Sequence, residues 1–378
     1  MYTSVRGRAA FVAVIATALL TVAGCGSSSS SSSPSGSGTP SGDNAALLAT
    51  AQTNVTKFEQ GSPFPELAAA YSPGTGKVAI IACGLAGPDC KNGAEAAKQA
   101  AEQMGWTGTI FDAQFSSQKA AAFIDQAVQQ GYDGVVSIAQ PVEQMKASVD
   151  NAIAKGLTVA CVACFKAAGM DKVYFAAVDW SEQGRQLAWY VINRSQAQAK
   201  VLVYDAPNQA VNARVAGFKE VLEGECSTCS IVATSTVDQS ELAKPGPPTF
   251  VADMAKYPEG TLTDVADPFD SIGVPMMKTL KASGRTDVTV SGYDSTIEGI
   301  NAMINNSLPI GGSMALPWSF AAYAGVDAVA RAKAGAPAYD ATALPTVLIT
   351  KNNASKFTTS YYQPEGFPAD FLKSWGKS

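Results

Sequence analysis

Histidine is absent from all 378 residues. That absence excludes a Ser-His-Asp hydrolase, a Cys-His nucleophile and the common histidine-based zinc sites. Charge is also sparse. Asp, Glu, Lys and Arg make up 16% of the chain and the formal net charge is −5, so no basic face points to nucleic acid. The sequence contains no GxxxxGK[ST] loop to cradle a nucleotide's phosphates. Downstream of one stretch near the N-terminus, no apolar run approaches the length that crosses a bilayer. What is plentiful is apolar residues, 47% of the total. Residues 43–378 exceed what one simple core holds and suit two lobes.

The N-terminal stretch has its own logic. Arg6 and Arg8 precede an uncharged run from Ala9 to Ala23, the charged-then-apolar order of a signal peptide. It falls short of the roughly 20 residues that span a membrane comfortably. Val22-Ala23-Gly24-Cys25 resembles the bacterial lipobox, which implies that Cys25 is lipidated and becomes the mature N-terminus. The alternative is a free cysteine after an ordinary signal peptide. The following "GSSSSSSSPSGSGTPSG" cannot bury a core and reads as a flexible tether. The expected organisation is therefore a signal segment over 1–24, a tether over 25–42 and a helical extension over 43–75 packed outside a lobe. One lobe then takes 76–178 with about 317–345, and the other takes 179–316 with about 346–378.

Six further cysteines fall as sequence neighbours: Cys83 with Cys90, Cys161 with Cys164, Cys226 with Cys229. An exported chain favours disulfides. Six cysteines allow fifteen connectivities, and neighbour pairing is the default, although Cys83 and Cys161 both end predicted strands. A four-thiolate metal site from Cys83, Cys90, Cys161 and Cys164 is the rival. Its first pair has six intervening residues where such sites use two to four. A thioredoxin-like redox pair is a further alternative.

From Lys77 onward, short apolar runs alternate with alanine-rich segments of helical periodicity. "KVAIIAC", "TGTIFDA", "DGVVSIA" and "LTVACVA" read as strands buried on both faces. "GAEAAKQAAEQMGW", "SSQKAAAFIDQAVQQGY" and "PVEQMKASVDNAIAKG" read as the helices between them, with Ser116 or Ser117 as a cap and Pro141 suited to a first turn. After a long helix near 181–193 the alternation restarts at "AKVLVYDA". The expected fold class is α/β: two Rossmann-like lobes with parallel sheets, joined by a three-crossing hinge. Ligands bind at the carboxyl ends of strands in such sheets.

Three segments carry a resemblance. "IDQAVQQGYDGVVSIA" resembles the helix-then-strand segment of type I periplasmic-binding proteins of the ribose-binding-like branch. "RVAGF", Arg214 to Phe218, resembles that family's R..GF. "DVTVSGYDS", Asp287 to Ser295, resembles its v.vvGfD strand. The resemblance covers roughly Lys77 to the C-terminal region. It implies the type I periplasmic-binding fold and a monomeric, cofactor-free, solute-binding subunit of an ABC importer, held on the extracytoplasmic face of a bacterial membrane by lipidated Cys25. It further implies a small-molecule ligand, permease partners with a separate ATPase, and Arg214 and Asp294 in the cleft. Arg supplies fixed donors and Asp ionised acceptors, and charge-assisted bonds orient a sequestered ligand strongly. Without the resemblance, Arg214 reads as a solvated helix residue and Asp294 as a helix cap.

Other positions depart from the sugar-binding pattern. Ala163 and Cys164 stand where ribose-like receptors carry an Asp-Arg pair. Phe269-Asp270, with Asp267 close by, stands for Asn-Asp, and Leu316 falls near the usual Gln. Few polar groups in a dry pocket penalise unpaired hydroxyls. A less hydroxylated solute, or a sugar in another orientation, is expected. Phe115, Trp180 and Trp318 offer aromatic walls for a sugar face, a ring or a cation, or else pack a core. Gln140 and Asp179 follow strands and either reach ligand, cap a helix or hold the hinge. Asp267 and Phe269 complete the candidate set. A sensor serving a membrane signalling protein is the alternative function. An extracellular enzyme using a carboxylate pair such as Asp264 and Asp267 is a weaker one, since no nucleophile motif accompanies it.

Overall fold

The computed structural model describes residues 42–238, 241, 246–358 and 361–377. The signal segment, Cys25 and the tether up to residue 41 lie outside the described residues. Helix α1 (Gly42–Gln60) opens the described chain. The first lobe then runs β1 (Lys77–Ala82), α2 (Pro88–Met104), β2 (Thr107–Asp112), α3 (Ser117–Gln129), β3 (Gly134–Ile138), α4 (Lys146–Ala154), β4 (Thr158–Val162) and β5 (Tyr174–Ala176). These strands are wholly parallel, in the order β2-β1-β3-β4-β5. β1 and β3 are buried along almost their whole length, as strands covered by helices on both faces must be. Pro88 starts α2, and Gly105, at φ 86°, ends it in the left-handed conformation glycine adopts freely.

The second lobe contains α5 (Trp180–Arg194), β6 (Lys200–Asp205), α6 (Gln209–Glu225), β7 (Ser230–Thr236), α7 (Pro248–Lys256), β8 (Asp264–Ala266), α8 (Asp270–Ser283), β9 (Thr289–Asp294), α9 (Ile297–Ile304) and β10 (Ile310–Ala315). Helix α10 (Trp318–Ala334) returns to the first lobe, and β11 (Val347–Ile349) returns to the second. The second sheet has the order β11-β10-β9-β8-β6-β7, parallel except for β11 against β10. Two helices of this lobe nearly touch. A Cβ on Gly184 of α5 would overlap the Arg214 carbonyl, and one on Gly217 of α6 would overlap that of Ser181. Glycine at both positions brings α6, and with it Arg214, down onto the start of α5.

Three crossings, at 177–179, 316–317 and 341–346, join the lobes. They are tied together: the Ala177 amide donates to the Ala341 carbonyl, and the Leu344 amide to the Ala177 carbonyl, both at 2.8 Å. This is the expected three-crossing architecture.

The chain termini differ from the sequence-based expectation. The extension over 43–75 does not sit outside one lobe. Ala51 and Val55 of α1 bury against α5, whereas Phe64, Leu67 and Tyr71 pack on the first lobe's core. The segment 346–378 does not stay with the second lobe either. Helix α11 (Phe367–Ser374) packs on the first lobe, because Phe367, Phe371 and Trp375 recur every four residues and form a stripe that meets Phe320 and Tyr323 of α10. Under these segments lies a buried ion pair. Arg331 Nε donates to Asp327 Oδ2 at 2.7 Å, and its other four N–H groups reach the carbonyls of Ala68, Ala69 and Pro337 and the Ser374 hydroxyl. Tyr71 and Trp375 donate to Asp327 Oδ1.

The cysteines pair as sequence neighbours. Cys83–Cys90, Cys161–Cys164 and Cys226–Cys229 are disulfides with Cα atoms 5.5, 5.7 and 5.3 Å apart. The thiolates that the four-cysteine alternative requires are thereby consumed.

Candidate functional site

The carboxyl ends of the two sheets face one another across a cavity of about 100 Å³. From the first lobe, the Cys83–Cys90 disulfide ties the loop after β1 to the start of α2 and sets Asp89 in that helix's first turn. Phe115, after β2, has φ 58°, and its ring occupies the space a side chain on Gly84 would need. Trp180 opens α5 and donates its Nε1–H to the Cys164 carbonyl (3.3 Å). Trp318 opens α10 with its ring over Gly93. From the second lobe come Asn208 at the cap of α6, Arg214 on that helix, Phe269 and Ser271 at the start of α8, and Asp294 at the end of β9. Asp294 itself has φ 83°, a conformation costly for a residue with a Cβ and one that clusters at functional sites. The lobes meet directly where Ser271 Oγ donates to Asp89 Oδ2 at 3.1 Å.

The charges are arranged unevenly. Arg214 is 3% exposed. It donates to Asp294 Oδ1 (2.7 Å), Gln183 Oε1 (3.0 Å) and the Pro268 carbonyl (3.2 Å), and its guanidinium lies over the rings of Trp180 and Tyr293. Three of its five N–H donors are thus engaged. Asp89 has no such cation. Burial, then the charges of Asp294 and Asp270, push its carboxyl up to about 8, against the opposing pull of hydrogen bonds from Tyr361 and Ser271. Asp270 sits behind the cleft, accepting from the Thr296 amide (2.8 Å) and the Ser313 hydroxyl (3.1 Å). Burial again dominates and carries it to about 7. Two buried polar atoms of residues on the cavity wall have no hydrogen-bond partner among the described residues: Asp89 Oδ1 and Trp318 Nε1. Buried polar groups are nearly always paired, so these two atoms are open to a further partner.

The family model described as the periplasmic binding protein domain matches residues 90–337. The chain belongs to the periplasmic binding protein family. Among solved structures it is similar to an ABC sugar transporter subunit from Rhodobacter sphaeroides 2.4.1, with 21% identity, a TM-score of 0.64, and coverage of 74% of this chain and 99% of that one. A Caulobacter myo-inositol binding protein bound to myo-inositol has 21% identity, a TM-score of 0.66 and coverage of 77% and 97%. An ABC transporter solute binding protein from Mycobacterium smegmatis with bound glycerol has 18% identity, a TM-score of 0.68 and coverage of 77% and 100%. These likenesses establish the type I fold. No curated protein matches the chain.

In this periplasmic binding protein the structure sorts the candidate residues. Arg214, Asp294, Trp180, Trp318, Phe115 and Phe269 line one cavity. Three candidates do not. Asp179 is exposed and caps α5 by accepting from the Glu182 amide at 2.9 Å. Gln140 is buried, and its Nε2–H donates to the Cys83 carbonyl (3.2 Å), holding the disulfide loop. Asp267 turns away from the cleft and lies beneath Gly273 and Gly292, where any Cβ would overlap its carboxylate. Both its oxygens lack a hydrogen-bond partner among the described residues. Burial first, then Asp270 and Asp294, raises its pKa well above the usual carboxylate range. Nor do Asp264 and Asp267 form a catalytic pair: Asp264 opens β8 and is bound to Arg194, whereas Asp267 follows the strand's other end.

Sequence reasoning missed Asp89, Asn208 and Ser271. Asp89 follows Pro88 in the segment after β1, so the same rule that selected Phe115 after β2 applies to it. A wider depression of about 880 Å³ between α8 and α9 is lined by Lys278, Lys281 and Glu298. It is an open surface groove whose main charges, Lys278 and Glu298, pair with each other at 2.6 Å, and no unpartnered buried atom faces it.

Proposed function

We propose that this chain is the solute-binding subunit of an ABC importer, tethered by lipidated Cys25 to the extracytoplasmic face of a bacterial membrane. It takes one small polar solute into the interlobe cavity and presents the closed form, as a monomer, to a permease whose ATPase is a separate chain. The observation that carries the reading is the interlobe cavity with Asp89 Oδ1 and Trp318 Nε1 unpartnered on its wall, beside an arginine with spare donors. Taking roughly 10–15 Å³ per water-sized occupant, the cavity accepts a solute of on the order of ten heavy atoms. The myo-inositol and glycerol named for two proteins of the same fold are of that class. The ligand drives closure only as far as it prefers the closed form to the open one, and the Ser271–Asp89 bond is available only when the lobes meet. A sensor passing the same closure to a membrane signalling protein remains the second reading, because it would use the same cavity.

Thermal denaturation of the purified protein against sugars, polyols, amino acids and amines tests this. A ligand at 100 times its Kd stabilises the fold by about 2.7 kcal/mol, and a single responding class is expected. No response from any of them overturns the solute reading. The anchor is tested separately: Cys25→Ala should move the protein from the membrane fraction to the soluble one, and retention of the variant would remove the lipid from the account.

A further inference from the structure

We infer that the solute carries a positively charged amine, seated on Asp89, together with a hydrogen-bond acceptor facing Trp318. This rests on the solute-binding reading of the cleft and names the ligand's chemistry. The cavity wall holds two carboxylates and one guanidinium. Arg214 is committed to Asp294, which leaves Asp89 in excess. Among the described residues no Lys or Arg lies within ion-pairing distance of Asp89. The groups that face it are acidic or neutral: the carboxylates of Asp294 and Asp270, the Tyr361 hydroxyl and the Ser271 hydroxyl. Ser271 donates to its Oδ2 at 3.1 Å, and the Tyr361 hydroxyl lies close by. Its second oxygen faces the cavity with nothing bound, in a residue only 5% exposed.

A neutral polyol leaves the Asp89 carboxyl holding its proton and without a charge partner, because an unpaired buried carboxylate is strongly unfavourable. An ammonium group removes the problem by pairing with it. The remaining wall favours the same occupant. Phe115, Trp180, Phe269 and Trp318 present rings, on whose faces a cation is attracted. Ala139, Ala163, Ala210 and Val211 offer no partner to a ring of hydroxyls. Trp318 Nε1–H, unpartnered at 4% residue exposure, needs one acceptor. The cavity therefore fits an amino alcohol or amino sugar of modest size, with its ammonium at the disulfide-held loop.

Isothermal titration on matched pairs tests this: 2-aminopropane-1,3-diol against glycerol, and glucosamine against glucose, at pH 7 in two buffers of different ionisation enthalpy. The amine of at least one pair should bind ten- to a hundredfold tighter than its neutral counterpart, with about one proton released as Asp89 ionises to pair with the ammonium. Asp89→Asn should collapse that ratio towards one. Should the variant fail to fold, the wild-type ratio and proton count decide alone. Equal or tighter binding of the neutral members, with no proton released, overturns the cationic class and leaves the solute reading standing. Silence from every pair, while a neutral solute of the wider screen stabilises the fold, likewise overturns only the cationic class. Silence throughout both experiments overturns both readings.

Discussion

Two arginines of this protein are buried almost equally, Arg331 at 1% and Arg214 at 3% exposure, and each pairs with an aspartate at 2.7 Å. Their surroundings differ in one respect. All five N–H donors of Arg331 find acceptors, and both oxygens of its partner Asp327 are occupied. Arg214 engages three donors, and beside it Asp89 and Trp318 each hold an unpartnered atom. A saturated network stabilises by satisfying everything it buries; an unsaturated one of the same composition has room for a further partner. Saturation, more than burial or charge, separates the structural ion pair from the one proposed to bind solute.

The largest expected effect breaks the saturated side. Arg331→Ala leaves Asp327 buried without its cation and frees the carbonyls of residues 68, 69 and 337. Breaking a buried pair from one side costs about 3–5 kcal/mol. Urea denaturation should show a loss of that size, with ligand affinity of the folded fraction unchanged. A loss below about 1 kcal/mol would mean that saturation is not what gives this pair its value. Arg214→Ala should behave differently, losing ligand affinity as well as stability, since the same side chain holds Gln183, Pro268 and Asp294.

How much of this contrast is legible in the sequence depends on the link. Alternating apolar runs and alanine-rich helices give both sheets, because a strand covered on both faces must be apolar throughout. Strand ends then locate Phe115, Asp294 and the two tryptophans at helix starts. Side-chain direction at those ends is less visible. Asp267 follows β8 as Asp294 ends β9, yet one carboxylate enters the core and the other the cleft. The available signal is Gly273 and Gly292, whose missing side chains make room for the Asp267 carboxylate. Asp89 is hidden because "GPDC" reads as a turn closed by a disulfide, and pairing chemistry draws attention to the cysteines on either side. The placement of α11 fails for a long-range reason: its aromatic stripe specifies that it packs, and only α10's Phe320 and Tyr323 specify where.

A second test sharpens the comparison through pH. Asp89, Asp267 and Asp270 are all raised, chiefly by burial, Asp270 to about 7 and Asp89 to about 8. A raised native value means the folded protein keeps protons that the unfolded chain releases above about 4. Their contribution is complete below the unfolded value and is lost as pH climbs through 7 and 8, at up to about 1.4 kcal/mol per pH unit for each retained proton. The ligand-free protein should therefore melt progressively lower from pH 5 to pH 8. Asp267→Asn should flatten that fall by removing one of the three groups. A wild-type profile flat over this range would show that water or rearrangement solvates these carboxylates.

The smallest effect concerns the carboxylate nearest the site that the geometry leaves out of it. Asp179 adjoins Trp180, a cavity wall, but its side chain is exposed and accepts the Glu182 amide at 2.9 Å. As a cap it should be worth about 1 kcal/mol, and asparagine should replace it with little loss because capping needs the oxygen more than the charge. Denaturation of Asp179→Ala and Asp179→Asn, alongside titration of whichever solute binds, separates the two roles. The expected result is a drop of about 1 kcal/mol for the alanine variant only, with Kd unchanged in both. A tenfold rise in Kd shared by both variants would place the Asp179 charge in the binding site, and the boundary drawn between saturated and unsaturated groups would have to move one residue outward from Trp180.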